Sequence, residues 1–167
     1  MKWVKQSIHY WCPDTKEHKF LGQNVTVAIL DTGISPHPDF KDRILSFRDF
    51  SSTTGSSEKV LFSFSHFSPL IDNSGHGTHV AGILAGSGLL SSGTYAGIAP
   101  FCNLIIGKVL DQNGNGSIKN VINGIQWIRD IYTQFHIRII NISVGTRPDL
   151  SIHQKLLLLN AVESLWD

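Results

Sequence analysis

VTVAILD, residues 25–31, is an apolar run rich in β-branched residues; it stops at an aspartate and passes into TGISPHPDF, residues 32–40, which carries two prolines. Unbroken apolarity over so short a span predicts a strand buried on both faces, and the turn-rich sequel ends it. NLIIGKVL (103–110) and RIINISVG (138–145) read as two further strands of the same kind. Between them DQNGNGS (111–117) reads as a tight loop with Ser117 as a helix N-cap. Ile118, Val121, Ile122, Ile125 and Ile128 then recur at helical spacing and predict one buried helix face. Residues 150–166 read as another helix, with Leu156, Leu159, Val162 and Leu165 as its apolar stripe. Strands alternating with helices imply crossover connections and a mostly parallel sheet flanked by helices. In open sheets of that class, sites form beyond the carboxyl ends of strands, where Asp31, Asp111 and Ser143 to Gly145 all fall.

Outside these elements the chain is less regular. The first 24 residues read as an arm whose Trp3, Ile8, Tyr10 and Trp11 could pack onto a body starting at Val25. Residues 51–70, rich in Ser and Phe, read as a surface excursion, and GSGLLSSGTYAGIAP (86–100) as a loop.

The 167 residues suffice for one domain with a real core, and an apolar fraction of 41% is ordinary for a globular chain. A formal net charge of +1 gives no electrostatic case for binding nucleic acid or an anionic membrane. Two cysteines, Cys12 and Cys102, are too few for a disulfide scaffold and read as small buried hydrophobes. No window approaches a membrane span, and the first residues mix charges with aromatics rather than forming a signal-like apolar core. The expectation is a soluble, cytoplasmic protein, or a secreted one if an upstream signal and propeptide belong to it.

The chemistry concentrates in DNSGHGTHVAGILAG, residues 72–86, where His76 and His79 stand three apart among glycines. A helical zinc site needs histidines at i and i+4 around a glutamate; the spacing here differs and Gly77 and Thr78 intervene. A general base fits better. Gly75 and Gly77 would let the backbone at His76 approach a neighbouring segment, and Ala81, Gly82, Ala85 and Gly86 would let a helix lie close on a sheet. A helix start disfavours an imidazolium, which suits a neutral proton acceptor, and Asp31 is the candidate to orient it. The residues alone leave open that His76 merely begins a helix and Asp31 merely ends a strand.

VAILDTGISPHPDF (27–40) resembles the aspartate motif of the subtilisin-like serine proteases, and GHGTHVAGILAG (75–86) resembles their histidine motif. GIAP with NLIIGKVLDQNGNGS is similar to the family's next strand and substrate loop, and IINISVG to its substrate-side strand. The resemblance runs in family order from about Val25 to Asp167. It implies an α/β, three-layer subtilisin-like fold, here C-terminally incomplete: an arm over 1–24 and a partial catalytic domain over 25–167. It also implies serine-type endopeptidase chemistry with Asp31 as orienting carboxylate, His76 as general base, and His79 as a structural residue packed under the helix. Peptide would add as a strand between Asn113–Gly116 and Ser143–Gly145. Gly114 and Gly116 would admit its backbone, Leu110, Ile118 and Val121 would line side-chain pockets, and Ser143, Val144 and Gly145 would face them.

The family's nucleophile sits in a GTSMAxP-type helix start, preceded by an oxyanion asparagine, and neither motif occurs in these residues. Ser143 falls in the substrate-side strand and is no substitute; a GxSxG elbow is also absent. The expectation is therefore a piece of a serine endopeptidase that is inactive by itself. One half of a split protease, completed by a chain bearing the serine motif, and a non-catalytic peptide-binding homologue are the alternatives; the retained Asp31 and His76 argue against the latter. The expected partner is a peptide or protein substrate, with neither nucleic acid nor membrane involved. No cofactor is certain. Calcium is used by some relatives, and Asp39 matches one of their ligands, although residues 86–97 lack the accompanying Asn-bearing pattern and Asp39 also reads as a turn residue. An unpaired strand edge is expected where the sheet stops.

Overall fold

A computed structural model of the chain describes residues 2–8, 10, 20–51, 58–60, 72–145 and 150–165. Along the chain run α1 (Lys2–Ser7), β1 (Thr26–Asp31), β2 (Ile44–Asp49), β3 (Glu58–Val60), α2 (His76–Ala85), β4 (Asn103–Lys108), α3 (Ile118–Phe135), β5 (Ile137–Ile142) and α4 (Ile152–Glu163). The strands form one sheet in the order β3-β2-β4-β1-β5. Strands β2, β4, β1 and β5 are parallel, and β3 joins antiparallel at the β2 edge.

All six residues of β1 are buried, as its unbroken apolarity requires of a strand with neighbours on both sides. Alternate side chains feed two cores. Val27 and Ile29, with Leu104 and Ile106 of β4, pack against Ala81 and Ala85 of α2. Ala28, Leu30 and Ile105 face Val121, Ile125 and Ile128 of α3. Each fully buried aliphatic side chain contributes roughly 1.5–3 kcal/mol, so this sandwich fixes where β1 ends. Ser117 caps α3 as expected, its hydroxyl accepting the Asn120 amide at 3.1 Å.

Several expectations are corrected. Strand β2 is new: it opens apolar with Ile44 and Leu45, but Ser46, Arg48 and Asp49 interrupt the pattern that marked the other strands. Part of the stretch read as a surface excursion is β3; most of the remainder lies outside the described residues. Helix α4, opened by a reciprocal Ser151–Gln154 capping box, keeps Val162 and Leu165 of the expected stripe inward but not its first half. Leu158, Ala161, Val162 and Leu165 pack on the core, whereas Leu156 and Leu159 are half exposed. In the arm, Trp3 is 82% exposed and Ile8 is also exposed. Tyr10 does reach the body, its hydroxyl donating to the Ile98 carbonyl at 2.8 Å; Trp11 and Cys12 lie outside the described residues. Leu21, ahead of Val25, is already buried, and Cys102 is fully so.

On the far side of β1 from β4, strand β5 pairs, among the described residues, with β1 alone. Its Ile139, beside Val27 in register, is 53% exposed.

Candidate active site

Asp31 ends the most deeply buried strand, and its side chain is inaccessible to solvent. One carboxylate oxygen, Oδ1, accepts the Thr32 amide at 2.7 Å and lies 2.7 Å from Nδ1 of His76. The other, Oδ2, is buried with no hydrogen-bond partner among the described residues. His76 is the first residue of α2, and its side chain is 54% exposed. One member of the pair is thus sealed in the protein, and the other reaches solvent.

The glycines flanking His76 serve different ends. Gly75 has φ +85°, with open space where a side chain would be, so it is there for the left-handed turn into the helix. Gly77 is there for contact: a Cβ would stand 2.2 Å from the Gly33 carbonyl oxygen and 3.2 Å from Cβ of Asp31. Of the small residues along α2, Ala81 and Ala85 meet the sheet, whereas a Cβ on Gly82 would touch nothing.

The charge preference of His76 corrects the sequence reading. Its pKa is raised above 6.5, first by the hydrogen bond to Asp31 and then by the charge of Asp31; slight burial opposes this, and Asp72 adds a smaller push. A helix N-terminus disfavours a cation by typically 0.3–1 kcal/mol, less than a hydrogen bond to a charged group is worth. His79 is exposed and lines a shallow cleft of about 290 Å³ with His37, Phe40 and Tyr95, so it does not lie under the helix.

Asp72, quoted in the histidine motif without a role, is buried and gathers hydrogen bonds from the Thr32 and Thr78 hydroxyls and from the amides of Ser74, Gly75 and Thr78. Burial raises its pKa, but the bonds from Thr78, Gly75 and Thr32 outweigh this and leave it below 3.8. No local pattern announced it, since the N-cap of α2 is Gly75, three residues further on.

A cavity of about 690 Å³ opens at the carboxyl ends of the strands. It is lined by Leu110, Gly114, Gly116, Ile118, Val121, Val144 and Gly145 from the sequence-derived set. Leu150, Gln154 and Leu158, from the start of α4 and the residues before it, complete the wall and were not anticipated. Ser143 is not part of the lining; it is exposed and its hydroxyl accepts from the side-chain Nδ2 of Asn141 at 2.8 Å. The cavity is tied to Asp31 directly, because the amides of Val109 and Leu110 both donate to the Asp31 carbonyl, at 2.9 and 3.2 Å.

The loop glycines are explained by the loop itself. Gly114 has φ +74°, and a Cβ on Gly116 would stand 2.5 Å from the Val109 carbonyl. Asp111 shapes this turn, accepting the amides of Asn113 and Asn115 at 2.8 and 2.9 Å.

The two carboxylate oxygens of Asp39 accept the amides of Leu90 and Gly88, at 3.2 and 3.0 Å. Each of those oxygens thus holds one backbone N–H of the 88–90 turn. Among the described residues no group of three or more His, Cys, Asp or Glu could hold a metal ion. No helix among them is long and apolar enough to cross a membrane.

A sequence model of the Subtilase family matches residues 22–164. Serine protease AprX of Bacillus subtilis (strain 168) is 41% identical over 150 residues, which are 87% of this chain and 31% of that protein. The major intracellular serine protease of the same organism is 37% identical over 131 residues, covering 77% of this chain and 36% of that one. Among solved structures, the Clostridium perfringens CspB protease superposes with a TM-score of 0.73 at 26% identity, covering 91% of this chain and 35% of its own. The S41 psychrophilic protease gives 0.68 at 30% identity, over 87% and 43%. The chain thus spans about a third of the length of the curated relatives it matches.

Proposed function

The chain belongs to the subtilase family, and from that premise we propose that it supplies the aspartate and histidine of a serine endopeptidase whose nucleophile and oxyanion donor lie outside these 167 residues. The observation carrying this reading is the 2.7 Å contact between the sealed Asp31 carboxylate and the solvent-facing His76. Asp31 accepts the proton on Nδ1, which fixes the ring orientation and the tautomer. Nε2 is then the acceptor for a serine hydroxyl proton and the later donor to the leaving amine. The buried carboxylate stabilises the imidazolium formed between those two transfers without itself taking the proton.

Peptide substrate lies along the cavity between the 113–116 loop and Val144–Gly145, pairing through its backbone, with Leu110, Ile118, Val121 and Leu158 receiving apolar side chains. The edge of β5 that is unpaired among the described residues takes the polypeptide that carries the serine. Asp39 anchors the 86–97 loop through its amide contacts rather than through calcium.

The test is turnover of a fluorogenic peptide by the chain joined in frame to the C-terminal region of a subtilase. Hydrolysis is expected, and Asp31→Asn should lower kcat by about 10⁴, the cost of losing the orienting carboxylate in such triads. Activity indifferent to Asp31→Asn would remove the proposal.

A further inference from the structure

We propose that Asp72 is a positioning residue for the Asp31–His76 pair: its carboxylate clamps the start of α2 to the turn after β1, holding the imidazole within hydrogen-bond reach of Asp31. The inference rests on reading those two residues as the reacting pair.

The clamp closes on the immediate neighbours of both members. Oδ1 of Asp72 accepts the Thr32 hydroxyl at 2.8 Å and the Gly75 and Ser74 amides at 2.9 and 3.2 Å. Oδ2 accepts both the amide of Thr78, at 2.9 Å, and its hydroxyl. The Thr32 hydroxyl in turn accepts the Gly77 amide at 2.9 Å. Residue 32, next to Asp31, is thereby bonded to residue 77, next to His76. A second tie runs from the Ser35 amide to the Thr78 hydroxyl at 2.9 Å.

Five donors converge on one buried carboxylate, and each is an N–H or O–H group. An ionised carboxylate can accept on both oxygens, whereas an amide of the same shape turns an NH₂ toward one set of donors. Asp72→Asn therefore breaks one side of the clamp with little change in volume. A residue serving only to cap α2 would need the amides of Ser74, Gly75 and Thr78. The bond to Thr32, forty positions earlier, is what couples the helix start to the turn that follows Asp31.

The test is histidine NMR on the full chain, following the His76 Nδ1 proton and the titration of its ring; Asp31 and Asp72 are the charged groups set against that ring. In the unaltered chain the Nδ1 proton should exchange slowly, and Asp31→Asn should lower the His76 pKa. With Asp72→Asn, Nδ1 exchange should be at least about tenfold faster, the scale of a weakened hydrogen bond to a charged group, and His76 should titrate lower. Thr32→Val should act in the same direction, and Thr32→Ser, which keeps the hydroxyl, should restore the original behaviour. Asp49→Asn, which removes a comparable carboxylate cap on Ser51, should leave His76 unmoved. If Asp72→Asn does not fold, the Thr32→Val and Thr32→Ser pair decides. Unchanged exchange and titration in Thr32→Val, with Asp31→Asn still effective, would overturn the clamp and leave the pair standing. A His76 indifferent to Asp31→Asn would overturn both.

Discussion

The backbone of Gly33 meets the backbone of Gly77 so closely that a β-carbon at 77 would stand 2.2 Å from the carbonyl oxygen at 33. The turn after Asp31 and the residue after His76 are thus in direct main-chain contact, with no flexible side chain to yield. Gly77→Ala should destabilise the chain by about 1–3 kcal/mol, as overpacking does, and part the Asp31–His76 hydrogen bond. Gly82→Ala, on the same helix with open space around it, should instead stabilise by about 0.5–1 kcal/mol through helix propensity. Denaturant unfolding of both variants checks the contrast; equal effects would contradict it.

Two titrations bracket the pH range in which the site holds together best. His76 has a pKa raised above 6.5, so its contribution is complete below that value and is lost as pH climbs through its folded pKa. Asp72 is held below 3.8, so its contribution is complete above that value and is lost as pH falls through its folded pKa. Thermal melts across pH should show the stability gap between the chain and His76→Gln closing on the alkaline side. The gap to Asp72→Asn should close on the acid side. Base catalysis requires the neutral imidazole, so activity of a completed enzyme should rise with pH through the His76 titration that costs the pair stability.

The inward face of α4 can be read by substitution. Leu158→Ala should cost about 1–3 kcal/mol, less than a fully buried leucine would. Leu156→Gln should stay within about 0.5 kcal/mol, because that side chain is half in water. Leu158→Ala should also weaken peptide binding, since the same residue lines the cavity.

Asp39 offers a third contrast. A chelator should leave the melting temperature unchanged, whereas Asp39→Asn, which turns an NH₂ group toward the Gly88 or Leu90 amide, should lower it by roughly 1 kcal/mol in stability. A melting temperature that drops with chelator and recovers with calcium would contradict the loop-anchor reading.

The positions of Asp31 and His76 were legible because chemistry and local structure coincide there: a β-branched run must end at a strand terminus, and glycines around a histidine mark a crowded helix start. Strand β2 was not, because Ser46, Arg48 and Asp49 break its apolar run and its pairing with β4 is a tertiary property. The inward face of α4 was ambiguous for a related reason, since Leu156 to Leu159 are four consecutive leucines that permit more than one stripe. The roles of Thr32, Asp72 and Thr78 depend on hydroxyls and a carboxylate meeting across forty residues of sequence, which no local pattern encodes. The direction of the His76 shift was misread because the helix terminus was visible in the sequence while the length of the bond to Asp31 was not.

The most direct measurement of the central claim is labelling by a serine-directed fluorophosphonate. The chain alone should take up no probe. Once it is joined to, or mixed with, a polypeptide carrying a subtilase serine motif, the serine-bearing part should be labelled, and His76→Ala should abolish that labelling. Covalent labelling of the 167-residue chain by itself, or labelling of the completed protein that survives His76→Ala, would contradict the account.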